Sequence, residues 1–413
     1  MSSNSALLSN SMSPLINSVE VKAGYENFRY KLLAGVGACS KQRRTVKFTP
    51  VSGGTNSINL LKYGLCTNIY LKIAIRDHNS DDTLVLAQAG VIAAIDELTL
   101  SSHSKILERL DRVAIMKYVL DKAKSEQDNI FALTGYNPLS AGDIKDDEDH
   151  IVYIPLPFSF FGSMDKAKDL LHLQQLTVNV KWASESDLNN LVADASSADK
   201  WVYSDCELVI NYLELPSAKL NELWNSNYSA AKPTNQLLLT CFKENEKSIT
   251  VSSSDQDFAI DLTTKGCVVK SYICMRPDPA THNTSDNNLR TNFQEIEKIV
   301  FKCNGQNFYA ARSDELEFER CIMGDNYNSM TSAKDNRTNY TAIYEFDFSV
   351  IPAVHAHKKY SQAISFKNLS APQYVITAKH ASLTAMIVEV IHVQLNLVAF
   401  SKQDGSMESI LSV

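Results

Sequence analysis

The pattern that begins at Ile95 returns at Ile296, 201 residues later in a chain of 413, and this spacing constrains the fold more than any other feature. Ile95-Asp96-Glu97-Leu98-Thr99-Leu100 leads into Ser101-Ser102-His103-Ser104. Ile296-Glu297-Lys298-Ile299-Val300-Phe301 leads into Lys302-Cys303-Asn304-Gly305. Both copies place apolar residues at the first, fourth and sixth positions and follow them with a polar turn of the Ser/His/Asn/Gly type. Each then enters a charged stretch rich in helix formers, Glu108–Lys122 and Ala310–Met323. A repeat offset by nearly half the chain predicts two copies of one all-β unit, not a catalytic domain with a lid. Few residues are identical, so pattern and spacing carry the inference.

A chain of this length exceeds what one hydrophobic core normally holds, which also favours two domains. Apolar residues make up 44%, a globular proportion. No run of about 18 apolar residues is present to form a spanning helix. The first thirty residues are rich in Ser and Asn and lack a basic-then-apolar signal, so a cytosolic product is expected. Eight cysteines (Cys39, Cys66, Cys206, Cys241, Cys267, Cys274, Cys303, Cys321) are scattered without a C-x-x-C pair. Reduced, buried thiols are therefore expected instead of a disulfide framework or a zinc site.

The net charge of −7 is uneven. Residues 1–45 carry Lys22, Arg29, Lys31, Lys41, Arg43 and Arg44 against Glu20 and Glu26, a balance of +4 that leaves −11 for the rest. Such sparse basic content does not make a nucleic-acid face, so no direct sequence-specific nucleic-acid binding is expected.

The organisation follows from the pattern of apolar runs and breakers. Residues 1–42 form an extended N-terminal arm, whose isolated apolar residues order only against a neighbour. Strand candidates in 43–216 include Thr45–Pro50, Asn68–Arg76, Ile154–Phe161, Leu176–Trp182 and Trp201–Leu215. Residues 217–234 make a connecting helix and linker, with Leu220, Leu223 and Trp224 at helical spacing. The second unit, 235–402, repeats the style with Gln236–Phe242, Ser248–Val251, Phe258–Leu262, Cys267–Met275, Tyr340–Val350, Tyr374–Ala378 and Leu383–Phe400. Residues 403–413 are a C-terminal tail. Pro277–Asn292 and Gly324–Asn339 are long polar loops suited to contact work. This arrangement predicts an all-β fold of two sandwiches or jelly rolls with short inserted helices.

No familiar catalytic motif is present, and Gly35-Val36-Gly37 lacks both the third glycine and the preceding strand of a phosphate cradle. His355-Ala356-His357 places two imidazoles on one face of an extended segment. No carboxylate or thiol stands nearby in sequence, and Lys358 and Lys359 repel a cation. Asp143–Asp149 clusters hard oxygen ligands that calcium takes, without the glycine and alternating spacing of a dedicated loop. Glu207 and Glu214 are the candidates for the carboxylate pair of a glycosidase, but seven residues apart on an ideal strand they face opposite sides. His380 and His392 read as structural histidines, and Trp182, Trp201 and Trp224 as packing residues. No catalytic, cofactor-binding or metal-ligating residue is assigned.

Ile154-Pro155-Leu156-Pro157-Phe158-Ser159-Phe160-Phe161, followed by Leu170-Leu171-His172-Leu173-Gln174-Gln175-Leu176-Thr177-Val178-Asn179-Val180, resembles the major capsid proteins of double jelly-roll viruses. These tailless icosahedral DNA viruses include the tectivirus, adenovirus and giant-virus lineages. The resemblance covers residues 40–400, and Ser159 departs from it where some relatives carry Trp. It implies two consecutive eight-stranded jelly rolls and a major capsid protein that trimerises into pseudo-hexagonal capsomers tiling an icosahedral shell. The implied partners are a homotrimer, neighbouring capsomers, and penton and minor capsid proteins. The arm of residues 1–30 would tie capsomers to each other or to an internal membrane beneath. The implied location is the virion, after synthesis in the host cytoplasm. The alternative from another class is a jelly-roll carbohydrate-binding or adhesin module.

Overall fold

Alternation of apolar and polar residues builds most of the elements. In Leu176–Trp182 every second side chain is buried, as period-two geometry requires for a strand with one face on a core. The structure is a computed structural model. It describes residues 40–77, 84–86, 90–103, 105–120, 133, 142–144, 149–161, 168–184, 201–227, 234–252, 256–278, 293–312, 314–316, 342–348, 363–378, 385–401 and 404–409. The arm up to residue 39, most of the two long polar loops, His355–His357, His380 and residues 145–148 lie outside these described residues.

The first half contains β1 (Ser40–Phe48), β2 (Thr55–Asn59), β3 (Leu65–Asp77), β4 (Leu84–Leu86), β5 (Ile95–Ser102) and β6 (Lys105–Asp111). Helix α1 (Arg112–Leu120) follows, then β7 (Gly142–Ile144), β8 (His150–Pro155), β9 (Lys168–Asp169), β10 (Leu176–Trp182) and β11 (Trp201–Glu214). Helix α2 (Ser217–Asn227) joins the halves. The second half contains β12 (Thr234–Lys243), β13 (Lys247–Thr250), β14 (Gln256–Asp261), β15 (Cys267–Pro277), β16 (Ile296–Cys303) and β17 (Gln306–Arg312). It closes with β18 (Tyr344–Asp347), β19 (Ile364–Ser365), β20 (Gln373–Ala378), β21 (Ala385–Phe400) and β22 (Met407–Ser409).

The first half forms two antiparallel sheets, β1-β11-β3-β8 and β2-β10-β5-β6. The second half forms β12-β21-β15-β18 and β14-β20-β16-β17. Counting the eight principal strands of each half in chain order, both have the order 1-8-3-6 in one sheet and 2-7-4-5 in the other. That wiring is a jelly roll, and it occurs twice. The short strands β9 and β19 repeat too, each pairing with the start of the third principal strand.

The repeated sequence pattern is one hairpin in two copies, β5–β6 and β16–β17. Each has its register shift at the same place, between Leu100 and Ser101 and between Phe301 and Lys302. Each turns through a left-handed residue, His103 at φ 52 and Asn304 at φ 50. A second irregularity also recurs. Thr67 is the extra residue between the pairs Cys66–Tyr212 and Asn68–Asn211, and Val269 between Val268–Gln394 and Lys270–Val393. Recurrence of irregularities at matching places is stronger evidence of equivalence than recurrence of strands.

Some expectations need correction. The charged stretches after the hairpins are not helical throughout. Glu108–Asp111 completes β6, and the helix is confined to Arg112–Leu120. Ala310–Arg312 likewise belongs to β17, with a helical turn at 314–316. Ladder pairing with β5 and β16 overrides local helix preference at these residues. Strand β1 begins inside the segment expected to be arm, because Ser40–Gln42 pair with Glu214–Tyr212. In the expected C-terminal tail, Met407–Ser409 pair with β21.

The interiors differ in composition. The first roll is lined by aliphatics such as Ile58, Leu71, Ile73, Leu98 and Leu100. In the second, Phe301 (the counterpart of Leu100) packs with its ring centroid 5.2 Å from Phe348, 5.4 Å from Tyr374 and 5.9 Å from Phe366. Different side chains fill one architecture, which explains why the repeat shares pattern and not identity. Even so, most of the buried apolar residues of both rolls form one contiguous cluster, with two small satellites around Leu213 and Val269.

Candidate functional site: the seam between the two rolls

That cluster is continuous because β6, an edge strand of the first roll, lies along β12, an edge strand of the second. Side chains stitch the two edges. The Arg109 amide donates to Thr240 Oγ1 at 3.1 Å, and Asn396 Nδ2 on β21 donates to the Leu107 carbonyl at 2.7 Å. Glu108 is fully buried. Its carboxylate accepts from the Ser159 amide at 2.6 Å, the Ser159 hydroxyl at 2.5 Å and the Phe160 amide at 2.7 Å. Ser159 Oγ in turn accepts from the Leu239 amide at 2.9 Å. One serine hydroxyl thus links Glu108 of the first roll to the backbone of the second. A Trp here would supply neither the hydroxyl nor its acceptor. Phe160 beside it stacks on Phe400 at 6.2 Å, and the C-terminal segment closes the same side through Gln174 N donating to Gly405 O at 2.9 Å.

Helix α1 is the wedge. Asp111 caps its first turn, accepting from the Val113 amide at 2.9 Å. Seven of its nine residues are buried, including Arg112 and Lys117. A helix that is apolar around most of its circumference belongs between two layers. Arg112 Nη2 donates to both carboxylate oxygens of Glu389 on β21, at 3.1 and 2.9 Å. Arg276 Nε adds a bond at 3.0 Å and Lys243 Nζ another at 3.3 Å. Both cations also reach Glu246, at 3.2 and 2.9 Å. A turn further on, Lys117 lies 3.9 Å from Glu345, which also pairs with Lys270 at 3.0 Å. Burial alone would push the Glu389 carboxyl up. The three cations outweigh it and hold the group well below the usual carboxylate range.

A second polar network lies inside the second roll. Ser271, His392 and Glu244 stand in the order of a nucleophile, base and orienting acid. Ser271 Oγ is 2.7 Å from His392 Nδ1, and His392 Nε2 is 3.3 Å from Glu244 Oε1. The Tyr374 hydroxyl donates to Ser271 Oγ at 2.9 Å, leaving the serine proton for Nδ1. Ser271 and His392 have no accessible surface, so no substrate reaches them in this conformation. Burial holds the imidazole below its ordinary value, against the pull of Glu244. His392 is the structural histidine expected.

The other candidates are dispersed. Glu207 sits near Lys47 and Lys72, at 3.8 and 3.6 Å, while Glu214 accepts from Ser40 Oγ at 3.0 Å. They do not form a carboxylate pair. At the edge of the acidic loop, Asp149 is held by Arg76 at 2.8 Å. Six cysteines are described; all are free, and only Cys267 is not buried. Burial pushes the Cys206 and Cys241 thiols up to about 12. Trp182 is buried and donates to Asn56 Oδ1 at 2.7 Å, and Trp224 stacks on His172 at 5.1 Å. Among the described residues, no group of three or more His, Cys, Asp or Glu side chains is placed to hold a metal ion.

Sequence reasoning missed Glu108, Arg112, Glu244 and Glu389. One signal was available: Glu389 interrupts Met386-Ile387-Val388 and Val390-Ile391, and a lone carboxylate in an apolar strand requires buried cations.

Neither known protein families nor curated proteins match this sequence. Solved structures do match the fold. PBCV-1 VP54, as fitted into a reconstruction of the virophage Sputnik, aligns with a TM-score of 0.66 at 11% identity, covering 93% of this chain and all of that one. The Faustovirus major capsid protein aligns with a TM-score of 0.63 at 8% identity, covering 96% of this chain and 98% of that one. The mavirus major capsid protein aligns with a TM-score of 0.50 at 11% identity, covering 90% of each. The fold is therefore the double jelly roll of viral major capsid proteins.

Two outcomes follow for the buried charges. Arg112→Met leaves Glu389 with only Lys243 and Arg276, and should destabilise the protein by about 3 kcal/mol in denaturant unfolding. Stability should also fall as pH drops below 6.5. The unfolded chain then takes up the His392 proton that the folded state, with its depressed value, refuses. Glu244 and Glu389, both depressed, add a further loss below 4.5. His392→Asn should flatten the first part of that profile in thermal melts recorded across pH.

Proposed function

We propose that this protein is a major capsid protein whose copies associate as trimers and tile a virion shell. The observation that carries the reading is a complete double jelly roll matched over nearly the whole length of two viral capsid chains. In this reading the work of the protein is burial of specific surfaces between copies, and turnover plays no part.

Two rolls of like wiring give the chain two similar lobes, so three chains about an axis present six. Closed symmetry of this kind limits assembly to a defined unit, which then packs edge to edge with neighbouring units. The seam keeps the two lobes in one fixed relation, as a tile requires. The N-terminal arm would reach a neighbouring capsomer or an underlying membrane, and penton and minor proteins would complete the shell in the virion. The arm's small positive balance suits an anionic surface.

Light scattering on the purified protein tests the reading, with negative-stain imaging of the same sample. The expected species has about three times the mass of the 46.0 kDa chain and a hexagonal outline. A stable monomer at all accessible concentrations would contradict it.

A further inference from the structure

One place in the two interiors is built from opposite chemistry. In the first roll Ile69 and Ile210 pair across β3 and β11, just past the extra residue Thr67. Ser271 and His392 pair across β15 and β21 at the same distance past Val269. Val178 stands opposite Leu100 in the first roll, and Tyr374 opposite Phe301 in the second. On the neighbouring edge strands, Val46 pairs with Leu208, and the Glu244 amide donates at 2.9 Å to the carbonyl of Val390, the counterpart of Leu208. Val46, Ile69, Val178 and Ile210 of one copy are therefore Glu244, Ser271, Tyr374 and His392 in the other.

The first roll shows that the wiring closes with aliphatic residues at these places. Burying polar groups opposes folding in a way that aliphatic ones do not, so the polar chain serves something besides the fold. Each of its protons has one place to go. The Tyr374 hydroxyl donates to Ser271 Oγ at 2.9 Å, and Ser271 donates to His392 Nδ1 at 2.7 Å. The ring's Nε2 faces Glu244 Oε1 at 3.3 Å. Glu244 accepts from the amides of Thr263 and Thr264, each at 2.8 Å, and from the Thr263 hydroxyl at 2.5 Å. A carboxylate in the break between β12 and β13 thus holds down the turn between β14 and β15.

A second ring proton has no such place. It enters at Nδ1, the nitrogen that accepts, and makes Ser271 an acceptor there. The serine's own proton is then stranded, because Oγ meets only Tyr374 and His392 among the described residues. A buried donor without an acceptor is strongly unfavourable, and neither Ser271 nor His392 has any accessible surface. The groups facing the ring are Glu244, Ser271 from β15, Tyr374 from β20 and the Phe366 ring at 5.3 Å. Of these Glu244 carries the charge; Glu389, three positions back on β21, lies on the opposite face with Arg112, Lys243 and Arg276. Burial already holds the imidazole below its ordinary value against the pull of Glu244. The route to water is short, since Thr263 and Lys265 on the clamped turn are exposed.

We propose that these four residues form an acid-operated catch. While His392 is neutral, Glu244 keeps the β14–β15 turn closed over the second roll; once His392 is protonated the turn lifts, and the first roll stays shut. One proton taken up on opening raises the open population by about tenfold per unit of falling pH. For a shell tile, which rests on the function proposed above, acid loosens one lobe and leaves the other as a frame.

Hydrogen exchange read by mass spectrometry on the full chain tests the catch, with rates corrected for the intrinsic effect of pH. Over the pH unit below 6.5, protection of residues 262–272 should fall about tenfold while the matching residues 60–70 hold theirs. His392→Asn, with His392→Gln as a second variant, should remove the fall. Protection that holds in both rolls, or falls equally in both, would overturn the catch, as would a folded variant that keeps the fall. Light scattering of the same sample reads assembly separately. A trimer without the fall overturns the catch and leaves the capsid reading intact, and a monomer with the fall does the reverse.

Discussion

A β-sandwich ends in open strand edges, and each edge is a row of backbone donors and acceptors waiting for a partner. How this chain covers them organises the rest of its structure. By carrying the same jelly roll twice, it lets an edge of the first copy lie against an edge of the second. Side chains, and not a continuous backbone ladder, make the junction: Thr240 and Asn396 reach across to β6, and Ser159, bonded to Glu108, accepts from the Leu239 amide across the seam. The result is a core shared by both rolls.

The charges at this junction are better understood as setting geometry than as adding stability. Taking Glu389, Arg112 and Arg276 out of water costs more than their mutual attraction alone reliably returns. The geometry compensates by satisfying the carboxylate with three cations from three elements, α1, β12 and β15. An apolar seam could slide by a strand register or a helical turn. A carboxylate that must meet Arg112, Lys243 and Arg276 together fits in one place. Glu108 does the same midway along β6, where a hydroxyl and two amides of the segment after β8 complete its shell.

Legibility in the sequence followed range. The strand and turn at Ile95 and at Ile296 could be read because both lie within a dozen positions, whereas the returning strands β6 and β17 could not. The alternating strand Leu176–Trp182, the helix after Pro216 and the buried thiols were readable for similar reasons. The resemblance around Ile154–Phe161 marked the segment that supplies Ser159 and Phe160 to the seam, without revealing their partners. Those partners are remote: Glu108 and Ser159 are 51 residues apart, Arg112 and Glu389 277. Local propensity misled where tertiary pairing decided, as at Glu108–Asp111, whose helix formers complete a strand. Glu389 was the exception, because a lone charge in an apolar strand signals a buried partner even when it cannot say which.

The central claim is that the seam fuses two jelly rolls into one body. Scanning calorimetry of the intact chain measures this most directly. One cooperative transition, with calorimetric and van't Hoff enthalpies in agreement, is the predicted result. Two separable transitions, each with the enthalpy of one roll, would contradict it.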